Sequence, residues 1–287
     1  MSKRKILITG KGSYVGTSFM KWVEQWPEQY EVEELSVRGT EWKEHDFSVY
    51  DVLLHVAGIA HIRETNDNRE LYYRVNRDLA YEIAKKAKED GVKQFIFLSS
   101  MSVYGIEKGV IDINSPLNPK RAYGKSKLQA EELISSLKEK NFKVAILRPP
   151  MIYGNGCKGN YPRLANLARK ILLFPNVKNE RSMIYIDNLS EFIRLIMDNF
   201  KKGLFFPQNN EYVCTSEMVK LIAEIHGKKI TMTNIFNPFL NLLNVNTINK
   251  VFDDLVYKKD ISEIDFNYCN YDFKTSISLT EGENKYE

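Results

Sequence analysis

Ile6-Leu7-Ile8-Thr9-Gly10-Lys11-Gly12-Ser13-Tyr14-Val15-Gly16 decides how the rest of the chain is read. A short apolar run leads into a glycine turn, and the turn opens a stretch with helical patterning through about Gln25. A strand, a glycine turn and a helix start in that order make a seat for a pyrophosphate. Gly10 permits the tight turn. Gly12 and Ser13 lie where backbone has to approach the phosphates, and Gly16 lets the helix pack close to the strand. The N–H groups of the first helical turn, at Tyr14 and Val15, carry the positive end of the helix dipole toward the anion. The competing reading is a glycine turn that holds no ligand, and the agreement of strand, turn and helix speaks against it.

Outward from that turn, strands and helices alternate. Strands are expected at Lys5–Thr9, Tyr30–Val37, Asp51–Val56, Gln94–Ser99 and Lys143–Arg148, with long helices over Leu71–Asp90 and Ala122–Lys140. Such alternation implies an α/β fold, a Rossmann-like doubly wound parallel sheet with right-handed crossovers. After Pro149-Pro150 the pattern loosens, with helices over Tyr161–Phe174, Ile186–Phe200 and Ser216–Gly227. Residues 1–155 are read as an NAD(P)-binding domain, to which later segments return. Residues 156–287 are read mainly as a smaller substrate-binding lobe, polar and aperiodic from about Lys258, with a frayed tail over Thr280–Glu287.

The net charge of +4 on 287 residues is small and its basic residues are dispersed. It suits an anionic small molecule and does not argue for nucleic acid. No apolar run approaches the length of a membrane span, and Ile6-Leu7-Ile8 is too short for a signal-peptide core. Cys157, Cys214 and Cys269 are far apart, and neither they nor His45 and His226 have metal-ligand spacing. The expectation is a cytoplasmic protein with reduced thiols and no metal.

Tyr123-Gly124-Lys125-Ser126-Lys127 carries the chemistry. Residues four apart share a helix face, so the Lys127 ammonium is expected beside the Tyr123 phenol, where a cation favours the phenolate. That pairing makes a base for an alcohol proton. Upstream stands Leu98-Ser99-Ser100-Met101-Ser102-Val103-Tyr104-Gly105. At the end of the second strand no acid is available for ribose hydroxyls. Arg38 either pairs with a 2′-phosphate, favouring NADP, or is an ordinary surface arginine. Asp46 and Phe47 are read as an acid and an apolar wall for adenine, with a turn cap as the alternative for Asp46.

The glycine turn, His55-Val56-Ala57-Gly58, Asn76, Ser100, Tyr123, Lys127 and Arg148-Pro149, in that order, resemble an extended short-chain dehydrogenase/reductase. More narrowly the chain is similar to the NAD-dependent epimerase/dehydratase family, in its UDP-glucose 4-epimerase-like subgroup. The resemblance implies the following roles. Val56, Ala57 and Gly58 run past the cofactor in the turn after the family's fourth-strand position, and Asn76 organises the cofactor site. Ser100, Tyr123 and Lys127 are the catalytic set, Tyr123 and Lys127 also meeting the cofactor. Ser99 stands beside the cofactor, and Pro150 and Met151 meet the nicotinamide end. Ser100, Met101 and Ser102 face the substrate. The polar loop after Gly154 supplies Lys158 and Arg163, and Arg181 is a third candidate for the substrate diphosphate; each is otherwise a solvated cation.

The implied reaction is transient oxidation of a nucleotide sugar, a UDP-sugar above all, at C4, followed by return of hydride. The alternative is an NADP-dependent reductase or dehydrogenase of a 4-keto nucleotide sugar. Family dehydratases carry Asp-Glu directly after the catalytic Thr; Met101-Ser102 in that place cannot act as acid and base, which argues against 4,6-dehydration. A Rossmann cofactor-sensing protein without catalysis is the non-enzymatic alternative. The helices Leu71–Asp90 and Ala122–Lys140 are candidate homodimer surfaces.

Overall fold

The computed structural model describes residues 3–60, 62–235 and 252–282. His61 and residues 283–287 of the expected frayed tail lie outside the described residues. The chain divides into two compact units. The first gathers the residues up to Gly105, Pro116–Pro149 and Leu189–Pro207; the second holds Ile106–Ser115, Pro150–Asn188 and the described residues from Gln208 onward. The expected boundary near residue 155 is therefore an interleaved one. The return of a later segment to the first unit was expected; the departure of Ile106–Ser115 from it was not.

In the first unit, a parallel sheet runs in the order β10-β6-β4-β3-β1-β2. The strands are β1 (Arg4–Thr9), β2 (Tyr30–Leu35), β3 (Val52–His55), β4 (Gln94–Leu98), β6 (Lys143–Leu147) and β10 (Gly203–Phe205). β5 (Gly109–Ile111) belongs to the second unit. All four residues of β3 are buried, as are the first four of β4, which is why these strands read as unbroken apolar runs rather than alternating ones. The edge strand β2 carries Glu31, Glu33 and Glu34, charges that discourage a further strand from pairing there. Only a 3₁₀ turn, Glu41–Lys43, stands in the short connection from β2 to β3 before the chain re-enters the sheet.

Helices cover the sheet. Helix α1 (Tyr14–Val23) buries Val15, Phe19, Trp22 and Val23 along one stripe. The long helix expected over Leu71–Asp90 is broken: α2 (Arg69–Tyr73) passes through a π-helical segment, Arg74–Leu79, into α3 (Ala80–Glu89). The wide turn carries Asn76, which is fully buried. Helix α4 is Ala122–Ser135, shorter than expected. One core cluster joins Leu7, Leu53, Phe95, Phe97 and Val144 of the sheet to Ile83, Ala84, Ala130 and Ile134 of the helices.

The second unit is built of short pieces. Parallel pairs β7 (Met151–Tyr153) with β9 (Met183–Tyr185) and β5 with β12 (Leu255–Tyr257) accompany helices α5 (Asn160–Ala168) and α7 (Thr215–Ile225). Phe174, expected in a helix, lies in the strand Leu173–Pro175. The segment from Lys258 is also more regular than expected. It holds helices Lys259–Ser262 and Phe273–Glu281, the latter capped by Asp272 and burying Phe273, Ser276, Ile277 and Thr280. Ser and Thr at its inward positions hid the helical period, because their hydroxyls are satisfied internally, as in Ser276 to Phe273 O and Thr280 to Ser276 O.

Candidate active site

The glycine turn forms as its sequence requires. Gly10 has φ +120°, and a Cβ there would lie 2.7 Å from the Ala57 nitrogen, so the turn after β1 packs against the turn after β3. That β3 turn, His55 to Gly58, follows the third strand of the chain. Gly12, at φ +72°, has nothing within 4 Å of such a Cβ and leaves one side of the turn open to a ligand. Ser13 caps α1, its Oγ accepting from Gly16 N at 3.2 Å. A Cβ on Gly16 would collide with that oxygen at 2.7 Å and with Ile8 at 3.0 Å. The Gly12 N–H donates to the Glu34 carboxylate at 3.3 Å, so an anion already meets the turn. A glycine turn open on one side at a helix start fits a dinucleotide pyrophosphate, which would displace the Glu34 carboxylate from the Gly12 amide.

The sequence reading did not single out Glu34, whose carboxylate meets the glycine turn. Glu34 lies inside β2 rather than past its end, one residue before Leu35. Arg38 is exposed beyond the strand, its backbone held by Ser36 Oγ. On the adenine side one expectation is corrected, and for Asp46 the turn-cap alternative is the arrangement present. Phe47 is fully buried, packed in the core with the Lys86 ammonium 4.8 Å from its ring centre, and offers no open wall. Asp46 caps its own turn, accepting from Ser48 N at 2.8 Å, and the Ser48 hydroxyl together with that N–H holds its carboxyl below the usual range.

Ser100, Tyr123 and Lys127 come together past the end of β4. Gly124 makes this possible: a Cβ there would sit 2.5 Å from the Ser102 carbonyl, so α4 rests directly on the 3₁₀ turn Met101–Tyr104. Gly105 closes that turn at φ +67°, where a side chain would strike the Asn118 carbonyl. Glu64 receives the Ala122 N–H and caps the start of α4. Ser100 Oγ accepts from Ser102 N and donates to Ser102 Oγ, both at 3.1 Å, and stands near enough to the Tyr123 phenol to oppose the rise in its pKa. Ser102 is exposed and Met101 half-buried at the head of the turn.

Lys127 is only 4% exposed. Its Nζ donates to the Leu98 carbonyl at 2.8 Å and lies 4.6 Å from the Phe97 ring centre. Burial pulls its pKa down to about 8, opposed by the Glu131 carboxylate. The expected depression of Tyr123 is not found in the protein alone. Burial raises the phenol, Ser100 opposes this, and the lysine charge is spent on Leu98. Asn76 ties the site to the β3 turn, accepting from Ile59 N at 2.7 Å and donating to Ile59 O and Ser126 Oγ. A Cβ on Gly58 would lie 3.1 Å from Asn76 Oδ1 and 3.4 Å from Lys127 Nζ, so that glycine keeps a passage between them clear. Val56 is half-buried and Ala57 buried in the same turn.

Beneath this group, Ser99 Oγ donates to Glu131, and Arg148 grips the same carboxylate through Nε and NH2 while its NH1 donates to Tyr104 OH. Ser99, read as standing beside the cofactor, turns its hydroxyl to a buried ion pair. His55 is fully buried, stacked near Phe95 and Phe97, with Nδ1 on Thr9 Oγ1 at 2.7 Å; burial drives its pKa down to about 3, so it is neutral.

In the second unit, Pro150 is buried and Met151 half-buried at β7. Lys158 and Arg163 are exposed. Arg181 is half-buried, its guanidinium donating to the Asp253 carbonyl at 2.7 Å, with Asp253 and Asp254 as its neighbouring charges. Its cation is therefore engaged within the unit.

A parallel sheet with a phosphate turn after its first strand, and Ser, Tyr and Lys gathered past β4, defines a dinucleotide-binding α/β protein of the short-chain dehydrogenase/reductase type. The chain belongs to the NAD dependent epimerase/dehydratase family, whose model matches residues 6–205. It is 33% identical to UDP-glucose 4-epimerase of Vibrio cholerae over 60% of this chain and 56% of the relative. It is 32% identical to N-acetyl-alpha-D-glucosaminyl-diphospho-ditrans,octacis-undecaprenol 4-epimerase of Escherichia coli O157:H7 over 70% of this chain and 62% of the relative. The chain thus spans less than two thirds of either relative. Among solved structures, it resembles UDP-glucuronic acid 4-epimerase from Bacillus cereus in complex with NAD (TM-score 0.74, 18% identity, 96% of this chain and 97% of the other). It also resembles a dTDP-4-dehydrorhamnose reductase from Clostridium acetobutylicum (TM-score 0.65, 20% identity, 80% of this chain and 82% of the other), and at such identities the likeness is one of fold. Among the described residues, no helix is long and apolar enough to cross a membrane.

Proposed function

We propose that the chain is a cytoplasmic nucleotide-sugar epimerase, acting on a UDP-sugar by transient oxidation at C4. The observation that carries the reading is the gathering of the Ser100 hydroxyl, the buried Tyr123 phenol and Lys127 one helical turn on, in the same unit as an open glycine turn. A nicotinamide dinucleotide bound at Gly10–Gly16 supplies reversible hydride acceptance. Gly12, Tyr14 and Val15 hold its pyrophosphate, and Gly58 and Asn76 keep its path past β3 clear.

The protein's own work is placement and proton transfer. Ser100 donates to the sugar hydroxyl oxygen and holds it as a carbonyl develops. Tyr123 takes the hydroxyl proton and returns it. Because burial holds the phenol protonated, Tyr123 becomes a base only when further positive charge enters the site; Lys127 alone does not suffice. Met101 and Ser102 follow Ser100 with no carboxylic acid between them, so elimination of water has no acid–base pair here. Lys158 and Arg163 provide charge for the substrate diphosphate. The relatives named as 4-epimerases support the epimerase reading.

One observation favours a second reading. Arg38 stands exposed past β2, where a 2′-phosphate would be met, which suits an NADP-dependent reductase of a 4-keto nucleotide sugar. Purified protein incubated with UDP-glucose, UDP-galactose and their N-acetyl forms decides between them. Interconversion of C4 epimers without net change in nicotinamide absorbance supports the epimerase. Stoichiometric consumption of NADPH with a 4-keto sugar would replace it with the reductase.

A further inference from the structure

Tyr123, Lys127 and Glu131 follow one another at four-residue intervals on α4, so the face that carries the proposed base continues one turn further, to a carboxylate. Glu131 is 4% exposed and Arg148 is 5% exposed. Arg148 donates to Glu131 from Nε at 3.0 Å and 3.2 Å to the two oxygens, and from NH2 at 2.6 Å. The same carboxylate accepts the Ser99 hydroxyl. Ser99 lies between Leu98, whose carbonyl receives Lys127 Nζ, and Ser100, which meets Tyr123. The backbone on either side is pinned as well, by Ser99 N to Leu147 O at 2.7 Å and Met101 N to Pro149 O at 3.0 Å.

A buried ion pair is a poor device for stability, since desolvation offsets most of its attraction. Its value here lies in what it holds. We propose that Glu131 is a positioning residue for the proton-transfer site: through Ser99 it fixes the strand end that presents Leu98 to Lys127 and Ser100 to Tyr123, and its carboxylate is the counter-charge that keeps buried Lys127 an ammonium. This rests on the reading of Lys127 as the cation of the proposed base.

The charges around Lys127 support the assignment. Glu131 of α4 and His55 at the end of β3 face Lys127, Tyr72 of α2 faces Tyr123, and Arg148, one residue past β6, faces Glu131 and Tyr104 of the 3₁₀ turn. His55 is neutral, so among these groups Glu131 is the carboxylate that faces both Lys127 and Arg148. Glu131 is also the group that opposes the loss of the Lys127 proton. Without it, each buried cation would lose the carboxylate that faces it in a water-poor site.

The test reads Lys127 directly. Full-length protein labelled with lysine carrying ¹³C at Cε is titrated by NMR, and the Lys127 resonance is assigned by its loss in Lys127→Met. In Glu131→Gln the midpoint moves down by about one pH unit or more, and in Glu131→Asp it stays near that of the parent protein. Arg148→Met, which removes the competing cation, moves it up, so the two variants carry opposite signs and either one alone is decisive if the other does not fold. An unchanged midpoint in a folded variant overturns the proposal. Turnover is followed separately: a Lys127 midpoint that moves while the pH profile of turnover stays fixed upholds the positioning role and removes Lys127 from the proposed mechanism.

Discussion

The Lys127 ammonium donates to the Leu98 carbonyl at 2.8 Å, so its charge is tied to the end of β4 rather than spent on the Tyr123 phenol four residues away. The four-residue spacing aligns both side chains on one face of α4, yet the lysine works first on the strand that carries Ser100. Its titration then becomes visible in turnover. Burial holds Lys127 near pH 8, so it is an ammonium at neutral pH and neutral above that value. Turnover is expected to hold from pH 6.5 to about 8 and to fall above it with the loss of one proton. The fall is not unfolding. Between the folded value near 8 and the unfolded value of 10.5, the unfolded chain binds more protons, so this group makes the fold more stable as pH rises. Turnover and circular dichroism recorded together from pH 6.5 to 10 check this; loss of both signals in parallel would refute it.

Tyr123→Phe removes the proton acceptor and leaves the ring. Turnover is expected to fall by roughly 10²–10⁴, the usual range for losing a general acid–base group. Cofactor affinity, read by fluorescence of titrated NADH, should change only a few-fold, because the glycine turn is untouched. Ser100→Ala should cost turnover in the same direction and by less, since the phenol remains. Full activity in Tyr123→Phe would remove Tyr123 from the mechanism.

Much of this site was legible in the sequence because backbone geometry allows few residues there. Gly10, Gly16 and Gly124 each sit where a Cβ would lie within 3 Å of another atom, so their spacing records contacts between elements. Tyr123 and Lys127 were legible from helical period. What was hidden has a common cause: local spacing says nothing of partners far along the chain. Glu131 reads as one more charge on a helix and Arg148 as a strand end, and only the fold turns them into a buried pair. Glu34 escaped because an acid was sought after β2, whereas its side chain reaches the turn from within the strand. Phe47 misled because an aromatic near a binding site also serves as core. The π-helical turn at Asn76 left no mark in the apolar period of its helix.

His55 gives the fold an acid limit. Its pKa is about 3 in the folded protein against 6.5 as an ordinary histidine, because charging it would place a cation among Phe95, Phe97 and the Lys127 ammonium. Between those values the unfolded chain holds the extra proton, so stability falls as pH drops from 6.5 toward 3. Between pH 6.5 and 5 that amounts to about 2 kcal/mol from this group. Urea midpoints measured at pH 7.5 and pH 5 should differ less in His55→Asn than in the parent protein, even if the variant is less stable at both. An equal pH response would show that His55 is not the group responsible.

The glycine turn separates cofactor binding from folding. Gly10 and Gly12 both have positive φ, yet their surroundings differ. A methyl group on Gly10 meets backbone of Ala57 at 2.7 and 2.9 Å, and backbone cannot swing aside. Gly10→Ala is therefore expected to cost about 2–4 kcal/mol of stability, left-handed strain together with a steric clash that forces the β3 turn away. A methyl on Gly12 meets nothing within 4 Å, so Gly12→Ala should lose only about 1 kcal/mol, the conformational part. Its methyl occupies the open side of the turn where a pyrophosphate would approach, so its main effect should be a tenfold or greater loss of NAD or NADP affinity. Thermal unfolding and nucleotide titration of the two variants test the pair. A Gly12→Ala protein that keeps parental nucleotide affinity would show that the phosphates do not pass over that side of the turn.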